Sequence, residues 1–250
     1  MKKILITGMS GLIGGVLRRY LEDLGGYELS ALNRSKVDGV TSFQADIADL
    51  EPIKPAFVGQ DVVVHMAASL ETQSWEPQLN ANIIGTYNVY EAARLAGVSR
   101  VVFASSGAAI RGMDAVAPYD AIAEGRYEDV LATWPKISHE VVRPTWIYGA
   151  AKVWGEAIGR VFSDEHGLSV LCARIGSVNR DNRPKDSREF SAYTSHRDVA
   201  DLLHRCIEAP EEVRYDIFYA VSNNKWGVRD LEPGRRVLGF EPRDDAEAFR

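Results

Sequence analysis

Short apolar runs along this chain alternate with longer stretches in which apolar residues recur every three or four positions. Continuous apolar runs are typical of strands covered on both faces, and the longer period is typical of amphipathic helices. The runs predict a first strand beginning near residue 4 and further strands at 27–32, 43–47, 61–68, 100–106, 168–175 and 215–221. The periodic stretches predict helices at 12–24, 80–96, 148–166, 199–209 and 231–238. This alternation predicts an α/β protein with a doubly wound parallel sheet.

Three glycines, Gly8, Gly11 and Gly14, mark the turn between the first strand and the first helix. Gly8 permits a tight turn, Gly11 removes a side chain that would keep N–H groups away from phosphates, and Gly14 lets the helix approach the sheet. Unpaired N–H groups and the dipole favour an anion at a helix N-terminus. The turn therefore predicts a dinucleotide diphosphate site in a Rossmann-type fold.

Asn33 and Arg34 follow the second predicted strand, at the edge that faces the adenosine ribose in dinucleotide folds. An acid here binds the ribose 2′-hydroxyl, and an arginine accepts a 2′-phosphate. Because the acid is absent, Arg34 favours NADP; a solvated loop arginine, with NAD as cofactor, is the alternative. Asp46, near the end of the third predicted strand, is expected to accept a hydrogen bond from the adenine amino group.

Composition limits the classes of function. A chain of 250 residues with 46% hydrophobic content suffices for one large domain, so we expect a single domain over residues 1–250. A net charge of −6 with interspersed signs offers no basic stripe for nucleic acid and no polybasic membrane patch. Cys172 and Cys206 lie in apolar runs and predict buried free thiols, neither a metal site nor a disulfide. With no signal-peptide pattern and no membrane-spanning run, a cytoplasmic location is expected.

Residues 107–147 have no clear period and contain Gly, Pro and several acids, which predicts an irregular excursion over the edge where ligands bind. Together with residues 176–250, this segment is expected to form a small C-terminal substrate lobe. His65 lies inside an apolar strand, and its predicted role is that of a core histidine.

Tyr148 and Lys152 stand at the head of the helix 148–166. A spacing of four residues puts the phenol and the ammonium on one helix face, close enough for the ammonium to lower the phenol pKa. Ser105 and Ser106 end the strand 100–106, at the carboxyl edge where ligands bind in open α/β sheets.

Six motifs spread over nearly the whole chain form a recognisable set. They are Thr7-Gly8-x-x-Gly11-x-x-Gly14, Asp46-Ile47, His65-Met66-Ala67-Ala68, Asn82-x-x-Gly85-Thr86-x-Asn88-Val89, Ser105-Ser106 and Tyr148-x-x-x-Lys152. Together they resemble the extended short-chain dehydrogenase/reductases, also called the NAD-dependent epimerase/dehydratase family. The segments 103–106, 143–144, 174–177 and 195–198 are most similar to uronate dehydrogenases and to archaeal sugar-phosphate dehydrogenases.

The resemblance implies a catalytic group. Tyr148, as phenolate, removes a proton from a substrate hydroxyl while the carbon's hydride leaves for nicotinamide. Lys152 binds the nicotinamide ribose and, with the positive nicotinamide, helps a phenol whose pKa is ordinarily about 10. Ser106 holds the reacting oxygen in line, and Asn82 supports the site through its amide. The implied cofactor site comprises Gly8, Ser10, Gly11, Leu12, Ile13, Gly14, Asn33, Arg34, Asp46, Ile47, Met66, Ala67, Ala68, Tyr148 and Lys152.

The substrate positions depart in part from the pattern of uronate dehydrogenases. Gly107 replaces the Asn that usually follows the two serines, and Leu70 replaces a substrate-binding Ser, which leaves Ser69 one place early. Ser177 and Arg188 match family substrate positions, so the resemblance implies that anion recognition persists. The implied substrate-binding residues are Ser69, Ser106, Gly107, Ser177 and Arg188.

The sequence thus predicts an NAD(P)-dependent oxidoreductase that takes hydride from the C1 hydroxyl of a small uronate, aldose or sugar phosphate and gives a lactone. The alternative is a nucleotide-sugar epimerase or dehydratase with a tightly bound cofactor; Arg111-Gly112 in place of Tyr-Gly and the small substrate lobe weaken it. A regulatory protein that binds the nucleotide without catalysis is a third hypothesis, weakened by the intact Ser106, Tyr148 and Lys152.

The expected partners are a sugar-like small molecule and a second copy of this chain. In the family that the chain resembles, helices equivalent to 80–96 and 148–166 pair across a two-fold axis, which implies a homodimer or a higher homo-oligomer. No nucleic acid, membrane or metal partner is expected.

Overall fold

The computed structural model describes all residues, 1–250, and contains one sheet of seven parallel strands. The strands are β1 (Lys2–Thr7), β2 (Tyr27–Asn33), β3 (Thr41–Gln44), β4 (Val62–His65), β5 (Arg100–Ser106), β6 (Ser169–Ile175) and β7 (Tyr215–Ala220). Their order is β3-β2-β1-β4-β5-β6-β7, so the chain reverses direction across the sheet between β1 and β4. Ligands bind at such a switch point, outside the carboxyl ends of the strands.

Nine α-helices flank the sheet or lie at its carboxyl edge. They are α1 (Leu12–Leu24), α2 (Leu50–Phe57), α3 (Trp75–Pro77), α4 (Gly85–Leu95), α5 (Tyr119–Glu124), α6 (Trp146–His166), α7 (Glu189–Ala192), α8 (His196–Ile207) and α9 (Glu232–Leu238). A π-helical segment (Gln78–Ile84) joins α3 to α4, and 3₁₀ segments occupy Gly107–Ala115, Tyr127–Asp129 and Ala246–Phe249. None of the helices combines the length and apolar character needed to span a bilayer.

The sheet separates two large apolar cores. Ile4 and Ile6 of β1 pack with α1 and α8 on one face, whereas Leu5 packs with α2, α4 and α6 on the other. Successive side chains of a strand point to opposite faces, so an uninterrupted apolar run is what a sheet covered on both sides requires. The predicted doubly wound fold is confirmed.

A third, smaller core lies above the carboxyl edge of the sheet. It joins Ile110, Tyr119 and Ile122 to Tyr219 and Val228, which follow in the C-terminal part of the chain. The irregular segment 107–147 therefore has its own packing partners, and this lobe stands over the end of β5. Its use in substrate binding stays a prediction.

Several predicted elements have other bounds. The predicted strand 43–47 is β3 at 41–44, because Asp46 leaves the sheet and its Oδ1 accepts a hydrogen bond from Ala48 N at 3.0 Å in a turn. The predicted strand 61–68 ends at His65, since the Ala67 N–H turns to the Thr7 hydroxyl at 3.1 Å.

The predictions about helices were incomplete. The single helix expected at 80–96 begins with a π-helical segment, and α2 was not predicted because its sequence contains Pro52 and Pro55. The excursion 107–147 was expected to be irregular and instead contains α5 and two 3₁₀ segments. Helix α8 is capped by Ser195, whose Oγ accepts a hydrogen bond from Asp198 N at 3.0 Å.

Candidate functional site

A cavity of about 810 Å³ opens at the carboxyl ends of β1, β2, β4, β5 and β6. All fifteen residues of the implied cofactor site line it, and so do Ser69 and Ser106. Further lining residues, which the motifs did not single out as ligands, are Leu32, Ser35, Ala45, Leu70, Pro77, Asn80, Ala81, Ala104, Ser105, Ile175, Gly176 and Val178. Most of these adjoin a motif residue, and this adjacency is the signal that could have identified them.

The glycine turn leaves no room for side chains. Gly8 has a φ of +73°, and a Cβ there would lie 2.7 Å from Ala67 N. A Cβ on Gly14 would lie 2.6 Å from Gly8 O. Helix α1 starts after Gly11 with neither a side-chain cap nor an acid in its first turn, so its N–H groups remain available to an anion. The cradle therefore fits the diphosphate of a dinucleotide.

The end of β2 is tied to the glycine turn. The Asn33 amide accepts a hydrogen bond from Met9 N at 3.1 Å and donates to Ser10 Oγ at 2.7 Å. Arg34 is exposed at the cavity wall, whereas the neighbouring Lys36 pairs with Asp38 at 3.1 Å. The Arg34 side chain thus lies in the cavity wall at the end of β2.

His65 links β1, β4 and α4 beneath the cavity. Its Nδ1 lies 2.8 Å from Thr7 Oγ1 and its Nε2 lies 3.2 Å from Thr86 Oγ1. Burial lowers the pKa of His65 to about 3, with a smaller contribution from the Lys152 ammonium, so the ring is neutral at ordinary pH. The predicted core histidine is confirmed, and so are the buried free thiols of Cys172 and Cys206.

Ser106, Tyr148 and Lys152 meet in the cavity wall below the glycine turn. Lys152 Nζ donates a hydrogen bond to Ala104 O at 2.8 Å and lies 5.7 Å from the centre of the Tyr148 ring. Burial lowers the pKa of Lys152 to about 8, and Glu156 opposes this change. The ammonium is thereby anchored to β5, beside the phenol.

Burial dominates the pKa of Tyr148, and the expected lowering by Lys152 stays a prediction. Burial raises the pKa of Tyr148 above its usual value of 10.0, and a hydrogen bond with Ser106 opposes the rise. The Lys152 ammonium itself is directed at the Ala104 carbonyl. The chain's own residues favour the neutral phenol here.

Asn82 lies behind the cavity wall. Its Oδ1 accepts from Ser69 N at 2.8 Å and its Nδ2 donates to Ser69 O at 2.9 Å, and Gln78 accepts a second hydrogen bond from the same amide. The π-helical segment that carries Asn82 directs it at this loop; such segments are frequent at functional sites. Asn82 is therefore placed to fix Ser69 and has no direct contact with the cavity.

A buried ion pair supports α6, the helix that carries Tyr148 and Lys152. The sequence analysis did not predict this ion pair. Arg174 binds Glu156 with two hydrogen bonds of 2.8 Å, and the Ser105 hydroxyl donates to the same carboxylate. Glu156 lies four residues after Lys152 on α6, and this spacing was the available signal. The pair fixes α6 against the ends of β5 and β6.

Gly107, Ser177 and Arg188 are not in the cavity wall. Arg188 Nη2 donates to Ser177 Oγ at 3.0 Å, so these two predicted substrate residues contact each other. Gly107 adjoins Ser106, and a Cβ on Gly107 would lie 3.5 Å from Nη2 of Arg229. The structure therefore pairs Ser177 with Arg188 and places Gly107 beside Ser106 and Arg229.

Known proteins with similar sequences match nearly the whole length of this chain. It is 30% identical to the NAD-dependent glucose-6-phosphate dehydrogenase of Haloferax volcanii, covering 98% of this chain and 95% of that protein. It is 33% identical to the uronate dehydrogenase of Agrobacterium fabrum, covering 100% and 88%.

Solved structures agree with these relatives. The crystal structure of uronate dehydrogenase from Agrobacterium tumefaciens superimposes with a TM-score of 0.83 at 31% identity, covering 100% of this chain and 87% of that one. A variant of uronate dehydrogenase from the same organism, complexed with NAD, gives a TM-score of 0.82 at 30% identity and covers 100% and 88%. The sequence profile of the NAD dependent epimerase/dehydratase family matches residues 4–200. The chain belongs to that family.

Proposed function

We propose that the protein is an NAD(P)-dependent dehydrogenase that transfers a hydride from the C1 hydroxyl of a small sugar, sugar acid or sugar phosphate to nicotinamide, giving a lactone. The observation that carries the proposal is the placement of Ser106, Tyr148 and Lys152 in one cavity with the glycine cradle. A base, an orienting hydroxyl and a cation next to a dinucleotide site are the groups that oxidation of an alcohol requires.

The contacts support a role for each residue in this proposal. Tyr148 removes the hydroxyl proton, Ser106 holds the reacting oxygen, and Lys152 holds the nicotinamide ribose from its anchor on Ala104. Because burial alone raises the phenol pKa, Tyr148 needs additional positive charge in the working complex. Nicotinamide, when bound, supplies the hydride acceptor and a positive charge. Asn82 is a positioning residue, since it acts through Ser69.

The dinucleotide is NAD or NADP. The exposed position of Arg34 at the adenosine end supports NADP, because a guanidinium binds a 2′-phosphate through two charge-assisted hydrogen bonds. We propose that Ser69, Gly107, Ser177 and Arg188 form the substrate side of the site, with Ser106 as the link between both sides.

Net reduction of cofactor separates this proposal from an epimerase or dehydratase. The two relatives named above, which match nearly the whole chain, are called dehydrogenases. The solved UDP-galactose 4-epimerase is only 20% identical and supports the fold alone. These similarities favour the dehydrogenase.

A substrate panel tests the proposed function. Purified protein is incubated with aldoses, uronates and sugar phosphates, each with NAD and with NADP, and absorbance of the reduced nicotinamide is followed. We expect stoichiometric NADH or NADPH for at least one class of sugar, together with a lactone. Conversion of a nucleotide sugar without net cofactor reduction would instead establish the epimerase.

We further propose that the protein is a homodimer through α4 and α6. Apolar side chains on these contacting helices are solvent-exposed, among them Tyr87, Leu95, Trp154 and Val161. An apolar surface of this kind is typical of an interface. Light scattering at micromolar concentration should give twice the chain mass of 27.6 kDa; a monomer would contradict the proposal.

A further inference from the structure

The buried ion pair between Glu156 and Arg174 takes no part in the chemistry proposed above. Arg174 is fully buried, and Glu156 is 3% exposed. The guanidinium donates from Nε and Nη2 to the two carboxylate oxygens, each at 2.8 Å, and Ser105 Oγ donates to the same carboxylate. The pair is therefore well hydrogen-bonded and shielded from solvent.

Stability alone gives a weak reason for such a pair. Removing two charges from water is costly, and well-packed apolar residues in place of a buried ion pair are often neutral or stabilising. Helix α6 already packs on the sheet through the apolar core that contains Leu5 and Phe162. The location of the pair is therefore the better indication of its role.

The pair lies one helical turn after Lys152. Side chains four residues apart lie on the same face of a helix, so Glu156 follows Lys152 along one face of α6. Lys152 Nζ donates to Ala104 O at 2.8 Å. Glu156 accepts from Ser105, the next residue of β5. Two successive turns of α6 are thus joined to two successive residues of β5.

Helix and strand are in close contact at this place. A Cβ on Gly155 would lie 2.3 Å from Cζ of the Phe103 ring. Lys152 Nζ lies 4.9 Å from the centre of the same ring. Because β5 and α6 approach so closely, a shift of α6 along β5 would move the Lys152 ammonium away from its anchor.

Arg174 also contacts the segment that leads to the head of α6. Its Nη1 donates to Val141 O at 3.0 Å and to Tyr219 Oη at 3.4 Å. The Tyr219 hydroxyl in turn donates to Ser138 O at 3.1 Å. Val141 precedes Tyr148 by only seven residues. One guanidinium thus holds both α6 and the chain just before it.

We propose that the Glu156–Arg174 pair positions Lys152 for catalysis, an inference that rests on the dehydrogenase function proposed above. The carboxylate fixes α6 against β5, and the guanidinium joins both to the chain before Tyr148. Neither member of the pair lines the cavity, so both act through Lys152. Misplacement of a catalytic group by about 1 Å costs up to about 10² in rate, so the position of the ammonium matters.

The test replaces the pair by apolar residues of similar size, in the double variant Glu156→Leu/Arg174→Met. Its unfolding free energy should stay close to that of wild type, because the cost of burying two charges disappears together with their attraction. Its kcat on the best substrate of the panel should fall about 10- to 100-fold, with KM for the sugar changed less than about threefold. A folded double variant with the kcat of wild type would overturn the proposal.

The matched control removes a similar ion pair from α8. Arg205 Nε lies 2.8 Å from Asp201 Oδ2, and neither residue lines the cavity. The double variant Asp201→Leu/Arg205→Met makes the same exchange and should keep the kcat and KM of wild type. A loss of kcat as large as that of the first double variant would contradict a specific role of the Glu156–Arg174 pair.

The position of Lys152 itself gives a readout that does not depend on turnover. Crystal structures of wild type and of Glu156→Leu/Arg174→Met, each with NAD bound, give the distance from Lys152 Nζ to Ala104 O. This distance should stay near 2.8 Å in wild type and increase by about 1 Å or more in the variant. An unchanged distance would overturn the proposal. If no sugar reduces the cofactor, the dehydrogenase function fails, and the two structures still decide whether the pair positions Lys152.

Ser105→Ala keeps the proposal testable if the double variant fails to fold. It removes the hydroxyl that joins Glu156 to β5 and leaves the ion pair itself intact. Its kcat should fall about three- to tenfold with KM for the sugar unchanged, because α6 loses one of its two links to β5. A kcat equal to that of wild type would then overturn the proposal.

Discussion

The proposed cofactor half and the proposed substrate half of the cleft are built from different parts of the chain. The cofactor half consists largely of backbone, glycines and short side chains at the ends of β1, β2, β3 and β4. The proposed substrate half lies beside the lobe, where Arg188 contacts Ser177 and Gly107 lies next to Arg229. A diphosphate can be held by a fixed backbone shape, whereas a particular sugar is selected by side chains that change easily between relatives.

Removing the base that connects the two halves should have the largest effect. Tyr148→Phe is expected to lower kcat about 10²- to 10⁴-fold, because the general base is lost, with the dinucleotide affinity nearly unchanged. Steady-state kinetics and cofactor titration measure the two quantities. Retention of more than about a tenth of wild-type activity would show that another group is the base.

The preference for NADP over NAD tests the proposed role of Arg34. A bidentate contact of Arg34 with a 2′-phosphate contributes about 1.5 to 3 kcal/mol, which corresponds to roughly a 10- to 100-fold preference for NADP. Arg34→Ala should remove this preference without affecting NAD. If wild type already prefers NAD, Arg34 has no role in the choice.

Substitutions at two neighbouring glycines test whether the proposed cofactor half requires close packing of α1 against the glycine turn. A Cβ on Gly14 would lie 2.6 Å from Gly8 O, whereas one on Gly15 would meet only Arg19 Nη1, at 3.6 Å. Gly14→Ala should cost about 1 to 3 kcal/mol of unfolding free energy and weaken dinucleotide binding.

Gly15→Ala is the matched control. It should be neutral or stabilising by up to about 1 kcal/mol, since alanine favours a helix more than glycine does. Denaturant unfolding and cofactor titration give both values. Equal effects of the two substitutions would contradict the close approach of α1 to the turn.

A further expected effect concerns the stability of the protein in acid, through the buried His65 beneath the proposed cofactor half. The pKa of His65 is about 3 in the fold, against an ordinary histidine value of 6.5, so the unfolded chain binds the extra proton between these pH values. The stability due to His65 is therefore present above pH 6.5 and is lost as the pH falls towards 3. At pH 5 the loss should be about 2 kcal/mol relative to pH 7.

Comparing His65→Asn with wild type isolates this contribution, since carboxylates affect both proteins equally. The unfolding free energy of the variant should fall less steeply between pH 7 and pH 5. Parallel curves for the two proteins would mean that His65 is not held neutral by burial.

The difference between the two halves of the cleft also explains which features the sequence could predict. Gly8, Gly14 and Tyr148 belong to motifs with fixed local spacing, so the fold and the placement of the cofactor residues followed from pattern alone. The contacts of Arg188 with Ser177 and of Gly107 with Arg229 arise only from tertiary packing, which no local spacing encodes. The bounds of β3 and the helix α2 were missed because a turn at Asp46 and the prolines of α2 obscured the period.

The measurement that tests the central claim most directly follows the hydride itself. The best substrate of the panel is prepared with deuterium at C1, and the reduced cofactor and the sugar product are analysed by mass spectrometry. The account predicts one deuterium in each reduced nicotinamide and a lactone without deuterium at C1. Deuterium that remains in the sugar, or returns to it without accumulation of reduced cofactor, would contradict it.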